Sequence, residues 1–201
     1  MSAGAGVFAV SFDSEQNTGA ETLQQEQQLN RFLAEVERRA LRIAEISVRD
    51  RDEALDLVQD AMIKLARNYA GRSHDEWAPL FYRILQNSVR DWHRRQKVRN
   101  RIMVWFGRTS SSEEDYDVVA QAPDPAGRTP DEQLQIHEAM QQVEVAVRTL
   151  SDRQREAFML RTFEGLDVAG TAAAMGCSEG SVKTHYSRAV HSIRKQLGDH
   201  W

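Results

Sequence analysis

Apolar side chains recur at helical spacing in the first half of the chain. One stripe, with steps of four, three, four and three residues, comprises Leu29, Leu33, Val36, Ala40 and Ile43. A second comprises Leu55, Val58, Met62, Leu65 and Tyr69, and residues 77–95 place on one face Phe81, Ile84, Ser88 and Trp92. Such spacing is typical of amphipathic helices that bury one face. Three helices can share one core, which predicts a first helical domain over residues 29–106.

The same period returns in the last third of the chain. A stripe after Pro130 comprises Ile136, Met140, Val143, Val147 and Leu150, and residues 151–154 read as a capping box that opens the next helix. Gly165 ends that helix, and two short helices are predicted over 167–175 and 178–197. No convincing strand is found, residues 102–106 being the nearest candidate. The second domain is predicted over 131–201, and the fold class is all-α.

Two segments lack this pattern. Residues 107–130 combine a serine run, acidic residues and three of the four prolines, which predicts an acidic flexible linker between the two small helical domains. Residues 1–28 are rich in Gly, Ala, Ser and Gln and contain no Lys or Arg, which predicts a disordered N-terminal tail.

Charge is segregated along the chain, although the net charge is only -4. Residues 90–101 carry six basic residues and one acid, whereas residues 113–132 carry seven acids and one base. This asymmetry indicates nucleic-acid contact over part of the surface.

Composition excludes several classes of protein. No apolar run reaches the roughly 18–20 residues of a membrane span, and residues 7–10 are too short and lack the basic flank of a signal peptide. A single cysteine, Cys177, permits no internal disulfide. We therefore expect a cytoplasmic protein without membrane insertion. The six histidines lack ligand spacing, and no nucleophile elbow, phosphate loop or supported carboxylate pair is found, so we expect no metal, no cofactor and no enzymatic activity.

Residues 167–188 read as a helix-turn-helix. A short alanine-rich helix allows close packing, Gly176 suits a left-handed turn, and Ser178 can cap the second helix. The start of that helix would enter the major groove of DNA. Its polar face carries Glu179, Lys183, Thr184, Ser187, Arg188 and His191, of which Lys183 and Arg188 are the best candidates for guanine edges or phosphates. The alternative to a DNA-binding motif is an ordinary helical hairpin whose charged residues form a solvent-exposed face.

Two motifs in order then carry a family resemblance. The second helix contains DLVQDA and the third reads FYRILQNSVRDWHRR, while the last domain reads EGLDVAGTAAAMGCSEGSVKTHYSRA. Over residues 29–197 the chain resembles the extracytoplasmic-function (ECF) sigma factors. It matches their third-helix pattern at Tyr82, Arg83, Ile84, Asn87, Asp91, Arg94 and Arg95. Departures from the family pattern, among them Leu80 in place of a common Trp and Gly170 within the first helix of the motif, bear on promoter sequence rather than on role.

The resemblance implies three functional groups of residues. The surface that docks on core RNA polymerase would comprise Asp56, Leu57, Val58, Gln59 and Asp60. The group that opens and reads the minus-ten element, together with the loop 71–77, would comprise Arg83, Asn87, Asp91, Arg94 and Arg95. The group that reads the minus-thirty-five element would comprise Ser178, Glu179, Ser181, Lys183, Thr184, Ser187 and Arg188.

The expected function is that of a sigma factor, whose partners are core RNA polymerase and promoter DNA. The resemblance to the family also suggests an anti-sigma factor as a further partner. The main alternative is a stand-alone helix-turn-helix regulator, which would dimerise and bind duplex DNA tightly by itself. A third reading is an adaptor that binds polymerase without melting DNA.

Overall fold

A computed structural model describes the backbone of residues 13–105 and 130–198, and the side chains of residues 23–99, 101 and 138–198. These two stretches are helical and contain no strand, which confirms the all-α fold class. In chain order the helices are α1 (Asp13–Val48), α2 (Arg51–Tyr69), α3 (His74–Trp105), α4 (Pro130–Thr149), α5 (Asp152–Phe158) with a π-helical continuation (Met159–Phe163), α6 (Val168–Met175) and α7 (Glu179–Leu197).

The first helix begins earlier than predicted. α1 starts at Asp13, so residues 13–28 are helical and the predicted disordered tail over 1–28 is wrong for that part. The segment is rich in Gln and Glu, which favour helix without needing an apolar face. It extends a helix already anchored in the core by Leu29 and Phe32. Residues 1–12 lie outside the described residues.

The third helix ends later than predicted. α3 runs to Trp105 rather than Arg95, and therefore includes residues 102–105, the nearest candidate for a strand. Pro130 occupies the first position of α4, where its missing amide proton costs no helical hydrogen bond. The rest of the flexible linker predicted over 107–130, residues 107–129, lies outside the described part of the chain.

Helices α1, α2 and α3 enclose the core of the first domain. Val36, Leu65, Trp77 and Phe81 are buried there, and the indole Nε1 of Trp77 donates to the Tyr69 carbonyl at 3.2 Å. α2 is capped by Asp50, whose carboxylate accepts from the backbone amide of Glu53 at 3.0 Å. The hydrogen bond from Trp77 to Tyr69 satisfies the polar end of this large buried ring, and it fixes the loop before α3 to the end of α2.

Helices α4 to α7 build the second domain. Met159, Leu160, Met175, Val182 and Ile193 are buried between them. Ser151 precedes α5 as predicted, but its side chain makes no capping hydrogen bond, so the capping-box prediction is wrong in its chemistry. The π-helical turn ends before Gly165, which has a φ of 76°.

The two domains pack directly on each other. α3 lies along α6, and α1 contacts α4. A β-carbon added at Gly170 of α6 would lie 3.6 Å from Cγ of Pro79 in α3. The nearer neighbour of that β-carbon would be Oδ1 of Asp167 at 3.1 Å, so the cap of α6 constrains this position more tightly than the first domain does.

Candidate nucleic-acid interface

The predicted helix-turn-helix is formed by α6 and α7. Asp167 caps α6 by accepting from the Gly170 amide at 2.6 Å. Gly176 ends it in the left-handed conformation, with φ 63° and ψ 43°. Ser178 caps α7 by accepting from the Ser181 amide at 3.2 Å, and the two serine hydroxyls lie 2.9 Å apart. The turn is therefore fixed at both ends, and it aims the start of α7 outward.

One face of α7 is buried and the opposite face is exposed. Val182, Ala189 and Ile193 point into the core. The predicted DNA-reading residues lie on the solvent side, where Ser181 is partly buried and the others are exposed: Ser178, Glu179, Lys183, Thr184, Ser187 and Arg188. Thr184 donates to the Gly180 carbonyl at 2.9 Å, and Ser178 and Ser181 serve the cap. Among the described residues neither Lys183 nor Arg188 has an ion-pair partner, which leaves both cations available to DNA.

A second exposed polar face runs along α3. Arg83, Asn87, Asp91 and Arg94 follow one another at steps of four, four and three residues, so one helical face brings them together, and all four are exposed. Arg94 donates to Asp91 at 3.0 Å. The amide oxygen of Asn87 accepts from Arg90. Arg95, also exposed, lies at the edge of this face.

A cleft of about 440 Å³ lies between α3 and α5. Its basic lining includes residues that the sequence analysis did not select, namely Arg90, Lys97, Arg101, Arg153 and Arg155. Burial lowers the pKa of His93 in this cleft and raises the pKa of Glu156. The basic run over residues 90–101 was the sequence signal for Arg90, Lys97 and Arg101. No local sequence pattern indicated the two arginines of α5, Arg153 and Arg155.

The predicted polymerase-binding group on α2 is divided by the structure. Asp56, Gln59 and Asp60 are exposed. Leu57 and Val58 are only 6% and 2% exposed and pack in the core, so in this structure they cannot form a contact surface. Ile63, which is 47% exposed, extends the exposed face instead, three residues beyond Asp60. Ile63 lies one turn from Asp60 and two turns from Asp56, and its position outside the apolar stripe of this helix did not single it out in the sequence.

Two other kinds of site are absent from the residues that the structure describes. None of the described helices combines the length and apolarity that crossing a membrane requires. The described residues also contain no group of three or more His, Cys, Asp or Glu side chains arranged to hold a metal ion.

Comparison with known families assigns both domains. A model described as Sigma-70 region 2 matches residues 29–99, and a model described as Sigma-70, region 4 matches residues 140–192. The chain is 28% identical to the ECF RNA polymerase sigma factor SigX of Bacillus subtilis over 155 residues, which is 75% of this chain and 73% of that protein. The chain belongs to the ECF sigma factors of the sigma-70 family. The ECF RNA polymerase sigma factor SigM of Mycobacterium tuberculosis (strain H37Rv) is 28% identical over 158 residues, 78% of this chain and 70% of that protein.

Solved structures agree with this ECF assignment. The sigma factor RpoE of Bartonella quintana, in complex with the anti-sigma factor NepR, superimposes with a TM-score of 0.60 at 25% identity, over 86% of this chain and 98% of that one. CnrH in complex with the cytosolic domain of CnrY gives a TM-score of 0.53 at 17% identity, which shows the shared fold. The polar faces of α2 and α3 fall within the region 2 match, and the predicted DNA-reading residues of the helix-turn-helix, over 178–188, fall within the region 4 match.

Proposed function

We propose that this protein binds core RNA polymerase, directs it to specific promoters and opens the DNA for initiation. The observation that carries the proposal is the presence of two sigma regions in one chain, each with an exposed polar helical face. Its role is regulatory rather than catalytic, and we expect it to act in the bacterial cytoplasm without a metal or cofactor. By analogy with the complex of the sigma factor RpoE with the anti-sigma factor NepR, we infer that an anti-sigma factor is a further partner.

We assign polymerase docking to the exposed face of α2. Asp56, Gln59 and Asp60 offer acceptors and negative charge, and Ile63 supplies an apolar contact. Two carboxylates four residues apart on a helix repel each other in the free protein, so a basic partner surface would relieve that repulsion. Leu57 and Val58 support this face from the core beneath it.

We assign opening of the minus-ten element to the exposed face of α3. An amide such as that of Asn87 can hydrogen-bond the edge of an unstacked base, which costs a few kcal/mol to extrude. Arg83, Arg94 and Arg95 can contact phosphates on either side. Asp91 orients Arg94 through their 3.0 Å contact.

We assign the minus-thirty-five element to α7. Lys183 and Arg188 lie on the exposed face of a helix whose beginning is capped and presented to solvent. Arg and Lys read guanine through its O6 and N7 atoms or hold phosphates, so these two residues carry the contact. Ser187 lies between them on the same face.

A selection experiment tests these assignments. Fragmented genomic DNA of the source organism is incubated with the protein, with core polymerase, and with both, and retained fragments are probed for unpaired thymines with permanganate. We expect specific retention and melting when both are present. Asn87→Ala should retain the fragments without melting them, and Lys183→Ala should lose specific retention.

Matched controls come from the same protein. Asn68→Ala on α2 and Lys195→Ala near the end of α7 change exposed residues of the same types outside the assigned faces, and should behave as the wild type does. Specific retention by the protein without polymerase would contradict the proposal and favour the stand-alone regulator. Retention with polymerase but without melting by the wild type would instead indicate an adaptor.

A further inference from the structure

The cleft between α3 and α5 carries an excess of positive charge. Its volume of about 440 Å³ lies within the range of roughly 300–1,000 Å³ that is typical of small-molecule pockets. Among the residues that the structure describes, the cations that line it are Arg90, Arg94, Lys97, Arg101, Arg153 and Arg155. The same lining includes two carboxylates, Asp152 and Glu156. Cations thus outnumber carboxylates, which favours an anionic occupant.

Four of these cations form a row along α3. Arg90, Arg94, Lys97 and Arg101 follow one another at steps of four, three and four residues, so they share one side of the helix. At about 1.5 Å per residue, this cationic row is about 16.5 Å long. A row of that length can contact several groups of one extended anion.

Cations of α5 face the same space from the second domain. Burial lowers the pKa of His93, which lies between the two walls; Asp152 opposes the shift, while Arg155 of α5 and Lys97 of α3 add to it. Burial also lowers the pKa of Arg155 itself, so a bound anion would stabilise its charged form.

The two carboxylates position arginines of the cleft. Asp152 accepts from Arg155 at 2.7 Å. Glu156, whose side chain is 4% exposed, accepts from Arg153 at 3.0 Å and lies 3.4 Å from Arg90. Guanidinium groups held in this way can bind a phosphate through two parallel N–H groups without first losing conformational freedom.

The far end of the cationic row is available to a ligand. Lys97 and Arg101 are exposed, and among the described residues neither has an ion-pair partner. Neither belongs to the groups assigned to polymerase or to the two promoter elements; of the six cations, Arg94 alone does. The proposed function therefore leaves most of this charge unexplained.

An apolar patch adjoins the cationic row. It consists of Val89, His93 and Val98, which also line the cleft. Aliphatic and ring surfaces of this kind pack against a sugar or a base, whereas an inorganic anion would leave them unused. A cleft of this size holds a nucleotide but is too small to admit a DNA duplex.

We propose that this cleft binds a nucleoside triphosphate, with the phosphate chain along the cationic row and the arginines of α5 and with the nucleoside against the apolar patch. The ligand would contact both domains. This site is additional to the proposed function and does not depend on it.

Isothermal titration calorimetry of the whole protein, without polymerase, tests the proposal with ATP, GTP, tripolyphosphate and a short oligothymidylate. The test variant is Lys97→Gln/Arg101→Gln. Its control, Arg194→Gln/Lys195→Gln, removes the same two types of charge from exposed positions near the end of α7. A second test variant, Val98→Glu, places a negative charge in the cleft, and Val145→Glu on α4 is its control at a similarly exposed valine.

We expect at least one of the two triphosphates to bind saturably, at one site per chain, and more tightly than tripolyphosphate does. Both test variants should bind it about tenfold more weakly or worse, the loss expected for charged hydrogen bonds, and both controls should bind as the wild type does.

The proposal would be overturned by a wild type that shows no saturable binding of either triphosphate, or by controls that lose as much affinity as the test variants. Tripolyphosphate binding as tight as that of the triphosphates would remove the nucleoside from the site. Tighter binding of the oligothymidylate, lost in the test variants, would assign the cleft to a nucleic-acid backbone instead. If Lys97→Gln/Arg101→Gln fails to fold, as judged by circular dichroism, the comparison of the two valine variants decides. Because polymerase is absent, failure of the sigma role would leave these outcomes unchanged.

Discussion

The Tyr82 hydroxyl of α3 donates a 2.6 Å hydrogen bond to the carboxylate of Glu164, a residue 82 positions later in the chain. Tyr82 is fully buried, and burial together with the neighbouring carboxylate raises the pKa of its phenol, which therefore stays protonated and donates. One residue of the family's third-helix pattern thus contacts the other domain rather than DNA or polymerase.

This bond leads to a first prediction. Tyr82→Phe removes the hydroxyl while Glu164 keeps Arg39, so the free energy of unfolding should fall by about 1.5 kcal/mol, typical of a hydrogen bond to a charged group. Urea denaturation followed by circular dichroism measures it. Tyr69→Phe is the control, because that ring is only partly buried, and should change stability little. Equal stabilities for the two variants would contradict the role of the hydroxyl.

Two glycines of the helix-turn-helix should respond oppositely to alanine. Gly176 has a positive φ, so Gly176→Ala should destabilise the protein by about 1 kcal/mol although space is free around it. Gly180 lies in the first turn of α7, and an added β-carbon would lie 3.9 Å from the Ser178 hydroxyl oxygen, an ordinary van der Waals contact. Gly180→Ala should therefore stabilise by about 0.5–1 kcal/mol. Thermal unfolding of both variants checks the two signs, and a common sign would contradict the turn geometry.

The cleft between the domains should make stability depend on pH. Burial lowers the pKa of His93 below 6.5; Asp152 opposes the shift, and Arg155 and Lys97 add to it. The unfolded chain therefore takes up this proton more readily than the folded one. The stability contributed by neutral His93 is intact above about pH 6.5 and is lost as the pH falls through its lowered folded pKa.

His93→Gln isolates this effect. Between neutral pH and about pH 5, the wild type should lose more free energy of unfolding than the variant does. Chemical denaturation of both proteins across that range provides the measurement. Parallel pH profiles would show that His93 titrates alike in the folded and unfolded chains.

The exposed face of α2 predicts a residue that matters for polymerase but not for folding. Ile63→Ser should leave the unfolding temperature nearly unchanged, because the side chain is 47% exposed, and should weaken binding to core polymerase. Leu23→Ser on α1, where the leucine is 61% exposed, is the matched control and should bind normally. Binding is measured by fluorescence anisotropy of the labelled protein. Equal affinity of the two variants would remove Ile63 from the docking face.

The hydrophobic pattern located the helices well and their ends poorly. An apolar stripe identified the cores of α1 to α3 but not residues 13–28, whose sequence has no such stripe. Residues 102–105 are four consecutive apolar residues without a helical period, which made them a strand candidate although α3 continues to Trp105.

Helical periodicity predicted which side chains are exposed on α7 and along Arg83, Asn87, Asp91 and Arg94, and their roles in DNA binding stay predictions. The docking surface predicted over residues 56–60 includes two buried residues, because five successive residues of a helix cannot all face outward. The ion pairs between the domains were not predicted, because their partners lie far apart in sequence, as with Arg39 and Glu164, and each resembles an ordinary surface charge until the domains are packed.

Run-off transcription tests the central claim most directly. Core polymerase is incubated with fragmented DNA of the source organism, with and without this protein, and new transcripts are mapped. We predict transcripts that start at discrete sites only when the protein is added, and that disappear with Asn87→Ala or Lys183→Ala but persist with Lys195→Ala. An unchanged set of transcripts, with a protein that does not bind core polymerase, would contradict the sigma-factor function.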